Sequence, residues 1–205
     1  MMDIVTLVMA CSMFSDYSIT NAMIQVGSKD NYLMVTPANG SSTIFPNTKQ
    51  AIAYSNEQIQ QATPFEIGIT QLPSRWLTEY KLTPEEAMQP CKNLVIATQI
   101  VSKAWDTCTK KVSDPSSAQQ VQACALSMYK TGDAKAGLDY ATAVMNYADA
   151  HPFKEIAAPA FKHWEKYAVV PKASDQKPAS APNKPTNKVV QNNTTITIPH
   201  ANAPE

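Results

Sequence analysis

Apolar residues recur at spacings of three and four along most of the first 150 positions, the period of one buried helical face. Ile19, Met23 and Val26 make the first clear run, which Asp16 or Ser18 can cap and Gly27 ends. Helix resumes over 50–61. A longer helix is predicted over 93–110, with Leu94, Ala97, Ile100, Val101, Ala104 and Trp105 facing the core. Two more follow over 117–129 and 134–150, separated by Thr131-Gly132-Asp133, where glycine can take the left-handed cap conformation. Thr83-Pro84-Glu85-Glu86 reads as a helix start, with Thr83 as N-cap, Pro84 at the first helical position and Glu86 placed to bond back to the cap.

The pattern breaks in three places. Between residues 29 and 48, Asn39-Gly40 and two prolines flank Val35, Ile44 and Phe45, which fits a loop or a small hairpin. Residues 4–14 are apolar enough for a short export segment, yet no Lys or Arg precedes them and Asp3 intrudes, so a first helix of the domain is the preferred reading. After His151-Pro152 the texture changes. Residues 153–170 suit one more amphipathic helix, kinked at Pro159, with Phe161, Trp164 and Tyr167 available for packing. Residues 171–205 hold six of the 15 prolines and no Phe, Trp or Tyr, a composition that predicts disorder. Within them only Thr194-Thr195-Ile196-Thr197-Ile198 alternates with strand period, a segment able to pair with a partner's sheet edge. The expected organisation is one domain over 1–150, an accessory helix over 151–170 and a disordered, proline-rich tail over 171–205.

Composition narrows the function classes. A chain of 205 residues with 44% hydrophobic content can bury one good core. Seventeen basic residues balance 17 acidic ones, so no general field draws nucleic acid. No run reaches the roughly 20 apolar residues a membrane span needs. The four cysteines form no C-x-x-C pair and the three histidines come late, so neither a metal site nor a cofactor is expected. An even count of cysteines suggests two disulfides, with ordinary buried thiols as the alternative. Cys108 and Cys124 would clamp a helical hairpin, leaving Cys11 with Cys91.

The candidate chemistry lies around Gly68-Ile69-Thr70-Gln71. That segment falls in an ordered series with Leu7-Val8-Met9-Ala10-Cys11, the helix entering Val26, Ala51-Ile52-Ala53, Pro90-Cys91-Lys92-Asn93-Leu94, Ala125-Leu126-Ser127-Met128-Tyr129 with Thr131-Gly132, and Gly137 with Tyr140. From Asp3 to Tyr147 the sequence resembles the specialised lytic transglycosylases of VirB-type type IV secretion systems. The resemblance implies a mainly α, lysozyme-like domain with a small loop or hairpin insertion. It also implies a place in the periplasm or cell envelope of a Gram-negative bacterium, peptidoglycan strands as ligand, and secretion-channel or pilus-assembly proteins as partners; the tail's composition, apart from the resemblance, suits either a tether that helps recruit such partners or a segment that only keeps the protein soluble.

Two departures from that family bear on catalysis. Its catalytic glutamate, the proton donor to the glycosidic oxygen, sits in a Val-Glu-Ser motif; here the sequence reads Val26-Gly27-Ser28. Glycine has no proton to give. The family's Tyr-Asn-x-Gly becomes Tyr129-Lys130-Thr131-Gly132, placing a lysine where it would favour the ionised form of any nearby acid. Asp30 and Glu66 are the carboxylates that could substitute, though each reads first as a solvated loop or helix-end charge. Gly68, Gln71, Tyr129 and Ser28 are the candidate glycan contacts; Gly68 and Gln71 suit a tight turn equally well, and Tyr129 could stack on a sugar or fill the core. Arg75, Trp76 and Tyr80 read as packing or surface residues. The expectation is a catalytically impaired transglycosylase homologue, with an active enzyme using a displaced acid, or a helical adaptor without a glycan ligand, as the alternatives.

Overall fold

The computed structural model describes residues 3–13 and 16–153. Residues 154–170 of the expected accessory helix and the tail, including Thr194 to Ile198, lie outside the described residues. Eight helices and four short strands are formed among the described residues: α1 (Ile4–Cys11), α2 (Tyr17–Gly27), β1 (Met34–Pro37), β2 (Thr43–Ile44), α3 (Thr48–Gln60), β3 (Phe65–Ile67), β4 (Leu72–Pro73), α4 (Ser74–Glu79), α5 (Pro84–Ala87), α6 (Pro90–Cys108), α7 (Ala118–Thr131) and α8 (Leu138–Ala150). The chain is mainly helical with a small antiparallel sheet.

Local chemistry sets most helix ends. The side chains of Asp3, Asp16, Asn47, Thr83 and Ser117 each accept a backbone N–H at the start of a helix. Thr83 and Glu86 form a reciprocal capping box, and Gly132, at φ 79°, ends α7 in the left-handed conformation. Pro90 opens α6 three residues ahead of the predicted start, because a proline at the first helical position loses no hydrogen bond. Helix α8 begins four residues late. The Asp133 carboxylate accepts the N–H groups of Lys135 and Ala136 and turns the chain outside the helix. Gly137 then passes so close to α7 that a Cβ there would lie 2.9 Å from the Ser127 carbonyl oxygen.

The region from 29 to 48 is a hairpin, β1 with β2, and it extends into a sheet of order β2-β1-β3-β4. Strands β3 and β4 were not foreseen, being three and two residues long. Val35 pairs with Ile67 and both face the core, so the alternate residues Thr36 and Glu66, also paired, share the opposite face. Glu66 is therefore a strand residue and not a loop or helix-end charge.

The main core gathers Met23, Val35, Ile67, Leu72, Ile96, Val101, Leu126 and Val144 from α2, the sheet, α6, α7 and α8. A second cluster packs Leu7, Val8 and Cys11 of α1 against Ile24, Ile69, Leu94 and Val95. Residues 4–11 are thus a packed helix. Disulfides join Cys11 to Cys91 and Cys108 to Cys124, tying α1 to the start of α6 and the end of α6 to α7. No helix among the described residues is long and apolar enough to cross a membrane.

Candidate functional site

Helix α2 ends against the loop over residues 68–71, and this junction is the centre of the site. Gly27 is the last residue of α2. A Cβ built there would stand 3.1 Å from the Thr70 carbonyl oxygen and 3.5 Å from Gln71 Cβ, so the position faces the loop directly. Ser28, which follows, donates its hydroxyl to the Ile69 carbonyl at 2.6 Å. Asp30 turns away: it is exposed, in the left-handed region at φ 67°, and its carboxylate accepts from the Gln25 side chain at 2.5 Å.

The loop itself is held from inside. Gly68 has φ +78°, and a Cβ would come within 2.5 Å of Asn93 Nδ2 and 2.7 Å of the Ala87 carbonyl oxygen, so only glycine fits. Asn93, on α6 and fully buried, accepts the Thr70 N–H at 3.1 Å and the Thr70 hydroxyl at 2.6 Å through Oδ1. Its Nδ2 donates to the carbonyls of Ile67 and Ala87 at 3.0 and 2.8 Å. Gln71, also at positive φ, donates to the carbonyls of Met34 and Gly68 and accepts from the Thr36 hydroxyl at 2.6 Å. Tyr129 reaches across from α7 and donates to the Thr70 oxygens at 3.0 Å. Its burial pushes the phenol well above its usual range, despite the Thr70 contact that opposes the shift.

These positions correct the sequence reading of the glycan contacts. Gly68, Gln71, Tyr129 and Ser28 are all buried, and the polar groups of the last three are engaged with the loop or the sheet. Tyr129, 0% exposed, has no face for a sugar ring. They build the floor from beneath, and the surface above it belongs to other residues. Asn93 was visible in sequence only as part of a motif; a buried asparagine among Leu94, Val95 and Ile96 was the available sign of a structural hub.

The outward face is set by Thr36 and Glu66 on the sheet. Glu66 forms an ion pair with Lys130 in the last turn of α7, bridging sheet and helix, with both side chains about one quarter exposed. Lys130 Nζ also stands 5.0 Å from the Tyr140 ring. The Tyr140 hydroxyl is buried without a hydrogen-bond partner, and burial, with the charges of Tyr129 and Glu66, raises its ionisation well above the ordinary value. Arg75 of α4 donates to the Met128 and Tyr129 carbonyls, capping α7, and lies 4.5 Å from the Trp76 ring. Its burial lowers its pKa. Glu66, Ser74, Arg75, Lys130 and Thr131 line a cavity of about 250 Å³, with Pro64 and Pro73 among its apolar walls.

Chemically, the junction lacks a side-chain acid at position 27, and neither candidate substitute is free: Glu66 is ion-paired with Lys130 and Asp30 is bonded to the Gln25 side chain. Among the described residues no group of three or more His, Cys, Asp and Glu gathers as a metal site. Comparison with known proteins finds no matching family model, no matching curated protein and no matching solved structure.

Proposed function

We propose that this chain is a lysozyme-like domain related to the specialised lytic transglycosylases, impaired in catalysis, which holds glycan strands or assembly partners in the cell envelope during construction of a type IV secretion or conjugation apparatus. The observation that carries the reading is Gly27. The helix end that would present a general acid meets the Thr70 carbonyl with no side chain, while the loop behind it is fully braced by Asn93, Gln71 and Tyr129. A general acid needs a protonated group held against an apolar wall, within reach of the leaving oxygen. Glu66 is already engaged in an ion pair with Lys130 and does not stand at the end of α2. The braced loop keeps a surface; the missing acid removes the chemistry.

The experiment is incubation of the purified full chain with peptidoglycan. The expected result is co-sedimentation with insoluble sacculi and no anhydromuropeptides above background, since losing a general acid costs about 10²–10⁴-fold. Release of anhydro products at catalytic protein concentrations would overturn the impaired reading, and failure to sediment would overturn the glycan reading. Gly27→Glu with Lys130→Asn should recover some activity. The new Cβ requires Thr70 to give by a few tenths of an ångström, so recovery is expected to be partial.

A further inference from the structure

A second cavity, of about 370 Å³, opens where the loop between α6 and α7, helix α7 itself and the start of α8 meet. Its floor is apolar and fixed. Val112, Ala123 and Ala134 are half-buried and packed against the main core, and Cys124 is tied to Cys108 by the disulfide. Leu138, 41% exposed, joins the same lining. One exposed leucine means little by itself, but here it carries an apolar floor out to solvent.

The charged part of the lining is basic. Lys111 and Lys135 reach the cavity from two different segments, and no acid lines it. The ion pairs among the described residues are Glu66–Lys130 and Glu86–Lys92, so neither ammonium is engaged at contact distance. Asp133 is held below its usual pKa first by the N–H groups of Lys135 and Ala136 and only then by the charges of the two lysines. One carboxylate balances one ammonium of the two. Asp114 and Asp139, the other acids on these segments, stand outside the lining, and Asp114 accepts from Ser116 of its own loop. The Ser113 hydroxyl donates to Gln120 Oε1 at 3.3 Å, which leaves the Gln120 amide N–H groups to donate.

A ligand that suits this lining brings an anion and an apolar group close together, in a space of one or two residues. The last residue of a peptide does so, because its α-carboxylate and its side chain leave the same Cα. An internal Asp or Glu carries its charge at the end of its stem and brings no apolar branch. A bare inorganic anion leaves the floor wet, and a neutral sugar has no charge to place beside the lysines. We propose that this cavity captures the C-terminus of a partner protein that ends in an aliphatic residue. The carboxylate meets Lys111 and Lys135, the side chain covers Val112, Ala123, Ala134 and Leu138, and the preceding carbonyl accepts from the Gln120 amide. Capture of a terminal carboxylate is a recurrent mode of peptide recognition, and two ammonium groups here take the part that backbone N–H groups play elsewhere. No lining residue is shared with the cavity beside Glu66, so the inference holds whether or not the junction binds glycan.

NMR titration of the labelled full chain decides it, with four probes: N-acetyl-Ala-Ala-Leu as the free acid, its C-terminal amide, N-acetyl-Ala-Ala-Gly as the free acid, and N-acetyl-Ala-Ala-Glu as the amide. The leucine acid should shift the amides of Val112, Gln120, Ala123, Lys135 and Leu138 saturably. Its amide should bind at least about tenfold more weakly, the loss expected for a charge-assisted contact, and the glycine acid about tenfold more weakly for want of the buried side chain. Replacing both lysines, Lys111→Gln with Lys135→Gln, should cost at least about tenfold in affinity with the melting temperature unchanged, since both are exposed; Lys111→Arg with Lys135→Arg should retain binding. Leu138→Ser should weaken the leucine acid and leave the glycine acid as it was. No saturable shift at these residues overturns the site. Equal binding of the leucine amide overturns the carboxylate's role, and equal binding of the glycine acid overturns the apolar one. The glutamate amide binding as tightly as the leucine acid would show a cavity for any acidic side chain and overturn the C-terminal assignment.

Discussion

Asn93→Ala should be among the most damaging substitutions in this protein that touch neither the exposed surface nor a disulfide. The Asn93 amide bridges α6, the 68–71 loop, the end of β3 and the end of α5 with four hydrogen bonds of 2.6 to 3.1 Å. Alanine removes all four and leaves the Thr70 N–H and the carbonyls of Ile67 and Ala87 facing a void. Each buried group left unmatched costs about 1–3 kcal/mol; the Thr70 hydroxyl keeps its contact with Tyr129, and some relaxation is certain. A loss of about 4 kcal/mol is expected, a large part of the roughly 5–15 kcal/mol that holds a domain together. The assay is urea unfolding with both disulfides intact, read by two probes to check two-state behaviour. Thr98→Val is the control, because Thr98 is buried on the same helix, donates to that helix's own Leu94 carbonyl at 2.9 Å and accepts the Met13 N–H at 3.1 Å, so its loss strands one group where Asn93→Ala strands three. Its cost should be about 1 kcal/mol. If Asn93→Ala costs no more than Thr98→Val, the loop is not braced by this amide and the account of the site floor is wrong.

The remaining predictions concern glycine, sulfur and acid. Gly68→Ala should cost about 3 kcal/mol or more or prevent folding, because a Cβ there meets Asn93 and Ala87 inside van der Waals distance at a positive φ, whereas Gly27→Ala should stay within about 1 kcal/mol of wild type; thermal melts of the pair decide it. Replacing Cys108 and Cys124 together by alanine should lose about 3 kcal/mol, and replacing Cys11 and Cys91 about 4.5 kcal/mol, as the chain-entropy model gives for separations of 16 and 80 residues; denaturation with and without reductant measures both. The Lys92 ammonium and the Thr83 N–H hold the Glu86 carboxyl below its usual value. A depressed folded-state pKa contributes stability that is present above the unfolded value and lost as pH falls through the folded one, so wild type should lose its advantage over Glu86→Gln on acidification below about pH 4.5, and an undiminished advantage there would refute the linkage.

Much of the helical frame was legible because its signals are local. The caps at Asp16 and Thr83, the stop at Gly132 and the three-four spacing of Ala97, Ile100 and Ala104 each act within one or two turns, so neighbours in sequence are neighbours in space. The late start of α8 and the early start of α6 were less legible, since an Asp133 turn and a proline at the first position compete with the apolar period at its edges. Strands β3 and β4 were hidden for a different reason. Two or three residues cannot display an alternation, and they become strands only by pairing with β1.

By itself the sequence determined which segments would be helices, where several of them begin and end, and that position 27 carries no acid. Tertiary structure alone decided which way the motif residues face. Gly68, Gln71, Ser28 and Tyr129 look the same in sequence whether they touch a ligand or a neighbouring loop, and packing turned all four inward around Thr70 and Asn93. It likewise brought Glu66 of a strand to Lys130 of a helix and left the Tyr140 hydroxyl buried without a partner. The physical reason is range. Propensity and capping reach across a few residues, while burial and charge pairing depend on distances in space that only the packed chain defines.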